Sequence, residues 1–139
     1  MKRRSALIAL FALVVAVCAA VFAGCGDYVA KDGALVAKHY FTVTDSTELP
    51  EGVIAFQADK GFYELDGKGR KYVLNDERIR FSVYLGEGYG IGTLKLSANG
   101  REYDLTAYED GFGRTVYRAS FTVSADFDAV LTGETVKVS

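Results

Sequence analysis

The chain has 139 residues, enough for one domain and too few for two. Lys2, Arg3 and Arg4 are three of its 16 basic side chains, and no acid lies among the first 24 residues, so residues 25–139 carry 13 basic and 18 acidic groups, net −5. That acidity argues against nucleic acid as a partner and against docking on anionic lipid through protein charge. Aromatic content is 13%, all Phe and Tyr, and 15 glycines sit mostly between short apolar runs, the punctuation of a turn-rich β protein.

The N-terminus begins with a basic stretch, Met1 to Ser5, followed by 18 apolar residues from Ala6 to Ala23. Polarity rises at once after Gly24-Cys25-Gly26-Asp27. This is the layout of an export signal with small residues beside its cleavage point. Phe22-Ala23-Gly24-Cys25 resembles the lipobox of bacterial lipoproteins, with Phe22 where that family usually places Leu. The resemblance implies residues 1–24 as a lipoprotein signal peptide, lipidation of Cys25, residues 25–38 as a lipidated tether and residues 39–139 as the folded domain. It further implies a place on the extracytoplasmic side of the cell membrane, held by acyl chains in the bilayer. Two alternatives stay open from the residues alone. Eighteen apolar residues make a helix of about 27 Å, close to the hydrocarbon span, so the segment could persist as an anchor; cleavage without lipid would release the domain.

From His39 onward the hydrophobic period is two. Val53 to Phe56 predicts a short buried strand. Asp66-Gly67-Lys68-Gly69 predicts a four-residue hairpin loop pairing Glu64 with Lys71, Tyr63 with Tyr72 and Phe62 with Val73. Residues 79–85 alternate, placing Ile79, Phe81, Val83 and Leu85 inward and leaving Tyr84 outward. Asn99-Gly100 between alternating apolar residues predicts a two-residue type I′ hairpin, because both central positions need positive φ. The resulting register pairs Ala98 with Arg101, Leu96 with Tyr103, Ser97 with Glu102, Lys95 with Asp104 and Leu94 with Leu105. Residues 116–123 predict a strand with Tyr117, Ala119, Phe121 and Val123 on one side. Residues 129–131 and 135–138 predict the last two strands, about a turn at Thr132-Gly133.

These segments predict an all-β, antiparallel sandwich of about seven to nine strands. From Arg80 to Val138, the rhythm Gly88-Tyr89, Asn99-Gly100, Tyr117, Asp126, Gly133 resembles the immunoglobulin-like modules of bacterial surface proteins. That resemblance implies an immunoglobulin-like β-sandwich used as a spacer or binding module, with no catalytic residues to carry over.

Candidate chemistry is sparse. Gly86 to Gly92 is glycine-rich, but strand residues follow it where a phosphate loop needs a helix, so it predicts a mobile connection presenting Tyr89. His39 is the single histidine and no nucleophile motif lies near it. No cysteine follows Cys25, which excludes an internal disulfide and a thiolate metal site in the mature part. Asp126 and Asp128 fall on one side of an extended strand and form the best candidate for a calcium-type oxygen site. Tyr84 and Tyr89 are the candidate binding residues.

The sequence therefore predicts a non-catalytic interaction or accessory module of the bacterial envelope, without cofactor, with an envelope protein or a glycan as partner. A ligand-binding lipoprotein for a glycan, peptide or ion is the second reading. A carboxylate-based hydrolase is the third.

Overall fold

A computed structural model describes residues 27–138; the expected signal segment, residues 1–24, and Cys25 lie outside the described residues. The described residues form thirteen strands and no α-helix, with a 3-10 turn at Ser46–Glu48. The strands are β1 (Tyr28–Lys31), β2 (Ala34–Val43), β3 (Val53–Ala58), β4 (Glu64–Leu65), β5 (Lys71–Leu74), β6 (Arg78–Leu85) and β7 (Tyr89–Gly90). They continue with β8 (Lys95–Ala98), β9 (Arg101–Asp104), β10 (Thr106–Glu109), β11 (Thr115–Thr122), β12 (Phe127–Thr132) and β13 (Val136–Lys137). The count exceeds the seven to nine expected partly because β4, β7 and β13 are two-residue ladders. Such pieces are too short to show a period.

Chain contacts separate the residues up to Lys38 from His39–Ser139. In the first unit, part of the segment expected to be a lipidated tether, residues 25–38, is a β-hairpin. β1 pairs with Ala34–Ala37 of β2 about Asp32-Gly33, whose φ values of 52° and 80° suit a type I′ turn. Lys38 N donates to the Asp27 carbonyl at 2.6 Å and closes the hairpin's open end.

The second unit contains two main sheets. One runs β4-β5-β2-β12-β8-β9, the other β10-β11-β6-β3. Antiparallel pairing joins β4 to β5, β12 to β8, β8 to β9, β10 to β11, β11 to β6 and β3 to β6, whereas Phe127–Ala129 of β12 lies parallel to Phe41–Val43 of β2. Alternation along each strand sends one set of side chains into the space between the sheets. Phe41, Leu96, Phe127 and Ala129 come from one side, and Phe56, Phe81, Val83 and Phe121 from the other. Rings meet across the gap: Phe41 and Phe81 at 5.9 Å, Phe121 and Phe127 at 5.1 Å, both edge-to-face. This is a sandwich core in which five phenylalanines pack among valine, leucine, isoleucine and alanine.

The Asn99-Gly100 hairpin has the expected register at every pair from Ala98–Arg101 to Lys95–Asp104, with φ values of 51° and 75° at its tip. On its outer face Lys95 Nζ lies 3.4 Å from the Asp104 carboxylate. Ile79, Phe81 and Val83 are fully buried. The other expected hairpin is shifted by one residue: Glu64 opposes Tyr72, and Leu65 opposes Lys71. The cause is the Asp66 side chain. Its Oδ1 accepts the backbone N–H of Lys68 at 2.9 Å and of Arg70 at 2.8 Å, which draws Arg70 into the turn and makes the loop five residues long.

That turn is pH-sensitive. Burial pushes the Asp66 carboxyl up, but the Arg70 and Lys68 N–H groups and the Arg70 guanidinium outweigh it and hold it at about 2, below the ordinary 3.8. A carboxyl lowered by folding stabilises the native state above its unfolded value, and this contribution is lost as pH falls through the folded one. Thermal unfolding midpoints are expected to fall between pH 3.8 and about 2 partly on this account. Asp66→Asn should be less stable at neutral pH and flatter across that window. Parallel curves for the two proteins would refute the assignment.

The C-terminal segment also departs from expectation. β13 does not turn back on β12; it pairs with β7, joining Val136 to Gly90 and Lys137 to Tyr89. The glycine-rich connection is thus laddered rather than free. Gly86 N donates to the Gly52 carbonyl at 2.7 Å, Thr93 N to the Glu134 carbonyl at 2.8 Å, and Val138 N to the Gly88 carbonyl at 2.8 Å.

Candidate functional site

Where β2 lies beside β12, Phe41 and Phe127 stack inward at 5.1 Å, so Tyr40, Thr42, Asp126 and Asp128 face outward. They line an open cleft of about 630 Å³ together with Arg70 and Asn99. Arg70 lies over the Tyr40 ring at 4.3 Å and is gripped on its other side by Asp66, Nε to Oδ2 at 2.7 Å. The same aspartate that sets the β4–β5 turn therefore fixes the cation on the tyrosine. Tyr72 flanks Tyr40 at 5.9 Å; burial, with Glu64 and Asp66 nearby, pushes its phenol up. One wall of the cleft is a stacked, cationic Arg–Tyr pair, and the opposite wall is acidic.

The acids are engaged by the protein. Asp126 Oδ1 accepts the Tyr40 N–H at 3.0 Å and lies 3.5 Å from His39 Nδ1. Asp128 Oδ1 accepts the Thr42 hydroxyl at 2.5 Å. Among the described residues no group of three or more His, Cys, Asp or Glu is placed to hold a metal ion. His39 Nε2 lies 2.8 Å from Asn75 Oδ1, and no hydrogen bond among the described residues joins His39 to a hydroxyl. These contacts tie the two strands and β5 together.

Tyr84, one of the two tyrosines singled out from sequence, lies on β6 opposite Ala55, half-buried on the face turned away from the core. Tyr89 lies on β7 at the edge. Its hydroxyl is 3.2 Å from the Glu51 carboxylate, and its ring lies so close to Gly52 that a Cβ there would fall 2.4 Å from Tyr89 Cδ1. Gly52 has φ 84° and admits the ring because it has no side chain. Neither Tyr84 nor Tyr89 lines the Tyr40–Arg70 cleft. Cys25 lies outside the described residues.

The hairpin joining β10 to β11 carries a further feature. Its turn, Asp110-Gly111-Phe112-Gly113-Arg114, repeats the pattern of Asp66-Gly67-Lys68-Gly69-Arg70 in sequence and geometry. Asp110 Oδ1 accepts the N–H groups of Phe112 at 2.8 Å and Arg114 at 2.9 Å, as Asp66 does with Lys68 and Arg70. Gly113 has φ 77° and Gly69 has φ 79°. The Arg114 and Phe112 N–H groups hold the Asp110 carboxyl below the usual range; burial opposes them, and the charges of Arg114 and Arg118 assist. One position in the pattern is free to vary. It holds Lys68 in one turn and Phe112 in the other, and Phe112 is 92% exposed. The repeated Asp-Gly-x-Gly-Arg pattern is the sequence feature that marks it.

Comparison with protein-family models, curated proteins and solved structures gives no match for this chain.

Proposed function

We propose that the protein is a non-catalytic interaction module of the bacterial envelope, displayed outside the membrane by a lipid on Cys25, with Phe112 as a contact anchor. The repeated turn supports this reading. Lys68 occupies the same place in the same geometry, so the fold does not need an apolar side chain there. A phenylalanine presented to solvent on a rigid tip is better explained by a partner that covers it. Aromatic anchors on preorganised loops lose little conformational entropy on binding. The two-sheet core and the Gly88-Tyr89 … Asn99-Gly100 rhythm support an immunoglobulin-like relation in a broad sense. The last two long strands, β11 and β12, belong to different sheets, whereas the constant-type immunoglobulin order keeps its last two strands in one.

A photoreactive phenylalanine analogue placed at position 112 in cells should give a discrete cross-linked species. The same analogue at position 68 should give none. Equal labelling at both positions, or none at 112, would sink the anchor. Membrane fractionation and intact mass of the native protein beside Cys25→Ala test the display separately. The native chain should be membrane-bound, begin at residue 25 and carry two or three acyl chains, and the variant should be unlipidated. An unchanged location and a mass differing only by the substitution would refute lipidation.

A second reading, capture of a polar small ligand such as a glycan or peptide, is favoured by the Tyr40–Arg70 cleft, whose stacked cation and acidic wall offer oriented polar contacts.

A further inference from the structure

The outer face of the sheet β10-β11-β6-β3 has arginines at positions 78, 80 and 118. Register places Arg118 between Thr106 and Ser82, and Ser120 opposite Arg80. Arg80, Asp104, Tyr108, Arg118 and Ser120 line a hollow of about 300 Å³ there.

Two of the three arginines are occupied. Arg80 Nε donates to Asp59 Oδ2 at 2.5 Å, and Arg78 Nη2 donates to the Ser120 hydroxyl at 2.9 Å. Asp104 on the rim faces Lys95. Arg118 differs. Its guanidinium lies 5.4 Å from the centre of the Tyr108 ring, and it forms no ion pair among the described residues. Its Nε is buried without a protein acceptor, the one such buried side-chain atom among the described residues. A buried donor without a partner costs stability and requires an explanation. Asp110 senses the Arg118 charge but spends its Oδ1 on the turn.

We propose that this hollow binds the carboxylate group of a small monoanionic ligand, held by the Arg118 guanidinium and walled by Tyr108. A guanidinium presents parallel N–H donors that match a planar carboxylate. With Arg80 neutralised by Asp59 and Arg78 outside the lining, Arg118 is the cation lining the hollow without an ion pair, and Asp104 is an acid on its rim. That balance suits a single negative charge and disfavours a phosphate dianion. Apart from Asp104 of β9, the residues named for the site lie on a different sheet from the Tyr40–Arg70 cleft, and the site does not depend on Phe112.

The test is a titration of the full chain, isotopically labelled and held in neutral detergent, following the Arg118 Nε–H resonance. The probes are N-acetylglycine, a peptide C-terminus mimic; glucuronate, an acidic sugar; N-acetylglycinamide, a neutral control; and inorganic phosphate. A saturable shift with either carboxylate and none with the amide supports the site, and the stronger of the two carboxylates identifies the ligand source. Arg118→Lys keeps the charge but loses the planar fork, and should weaken binding about tenfold. Asp104→Asn removes a repelling rim charge from an exposed position and should tighten binding about threefold; it keeps the test decisive if the Arg118 variant does not fold. No saturable shift, equal binding of the amide, tighter binding of phosphate, or weaker binding by Asp104→Asn would each overturn the proposal.

Discussion

Phe81→Ala is expected to destabilise the fold by about 3–5 kcal/mol, the range for deleting a large aromatic from a closed core. Phe81 is fully buried. Its ring lies 5.9 Å from Phe41, 5.7 Å from Phe56, and 6.1 Å from both Phe121 and Phe127. Phe41 and Phe127 belong to one sheet, Phe56 and Phe121 to the other, so a single side chain bridges the sandwich. Removal costs both transfer energy and the contacts of four neighbouring rings. A domain of this size has about 5–15 kcal/mol in total, so the variant should lose a large share of its stability. Urea unfolding would measure it, with a lowered midpoint at unchanged slope. Phe112→Ala is the control. It removes the same side chain from an exposed tip and should change stability by no more than about 0.5 kcal/mol. A Phe81→Ala loss below about 1 kcal/mol would mean that the sheets collapse onto the gap instead of leaving a cavity.

The core was legible because its strands alternate strictly. Residues 79–85 and 117–123 each present one apolar face, and a one-residue slip would turn it away from the core. Asn99-Gly100 was legible for a conformational reason, since both residues tolerate positive φ, and the charged pair Lys95–Asp104 confirmed the register on the opposite face. Three things escaped. Asp32-Gly33 carries the same turn chemistry as Asn99-Gly100, but the mixed residues around it hid the β1–β2 hairpin. The β4–β5 register was missed by one because counting loop residues ignores a carboxylate that captures two backbone N–H groups. β10 was missed because Thr106 to Glu109 are all exposed, leaving no inward face to generate a period.

The surface sites were less legible still. Alternation placed Tyr84 outward and on the correct face, yet it could not say that Arg118 would stand on that face without an acceptor. Such a statement needs the pairing of β10, β11 and β6, which links residues up to 44 positions apart, Arg78 with Thr122. The cleft depends likewise on the parallel pairing of β2 with β12, a contact between the two ends of the domain. Tyr40, Arg70 and Asp126 are separate in sequence and have no shared motif. Phe112 is the instructive case, because its turn repeats an earlier one at every residue but Phe112 itself and the comparison was available from sequence.

Asp59→Ala should cost about 2–4 kcal/mol, more than an aspartate on an ordinary β surface would suggest. Asp59 sits just after β3 and is nearly buried. Its two carboxylate oxygens take separate donors: Oδ2 accepts Arg80 Nε at 2.5 Å, and Oδ1 accepts the Ser82 hydroxyl at 2.7 Å. Ser82 is only 1% exposed although it points away from the core, so its hydroxyl has no ready substitute in solvent. Removing the carboxylate strands that hydroxyl and the Arg80 guanidinium together. Arg80 is partly open to water and keeps its contact with the Phe62 ring at 4.7 Å, which holds the cost below that of a fully enclosed ion pair. The backbone bond from Asp59 N to the Arg80 carbonyl, 2.8 Å, survives the substitution, so the measured loss belongs to the side chain. The triple variant Asp59→Leu, Arg80→Met, Ser82→Ala should recover most of the stability, because an apolar group stranding no donor is tolerated where a broken polar triad is not. If the triple variant is as unstable as Asp59→Ala, the triad's contribution is net attraction between its members rather than mutual satisfaction of groups that folding has already removed from water.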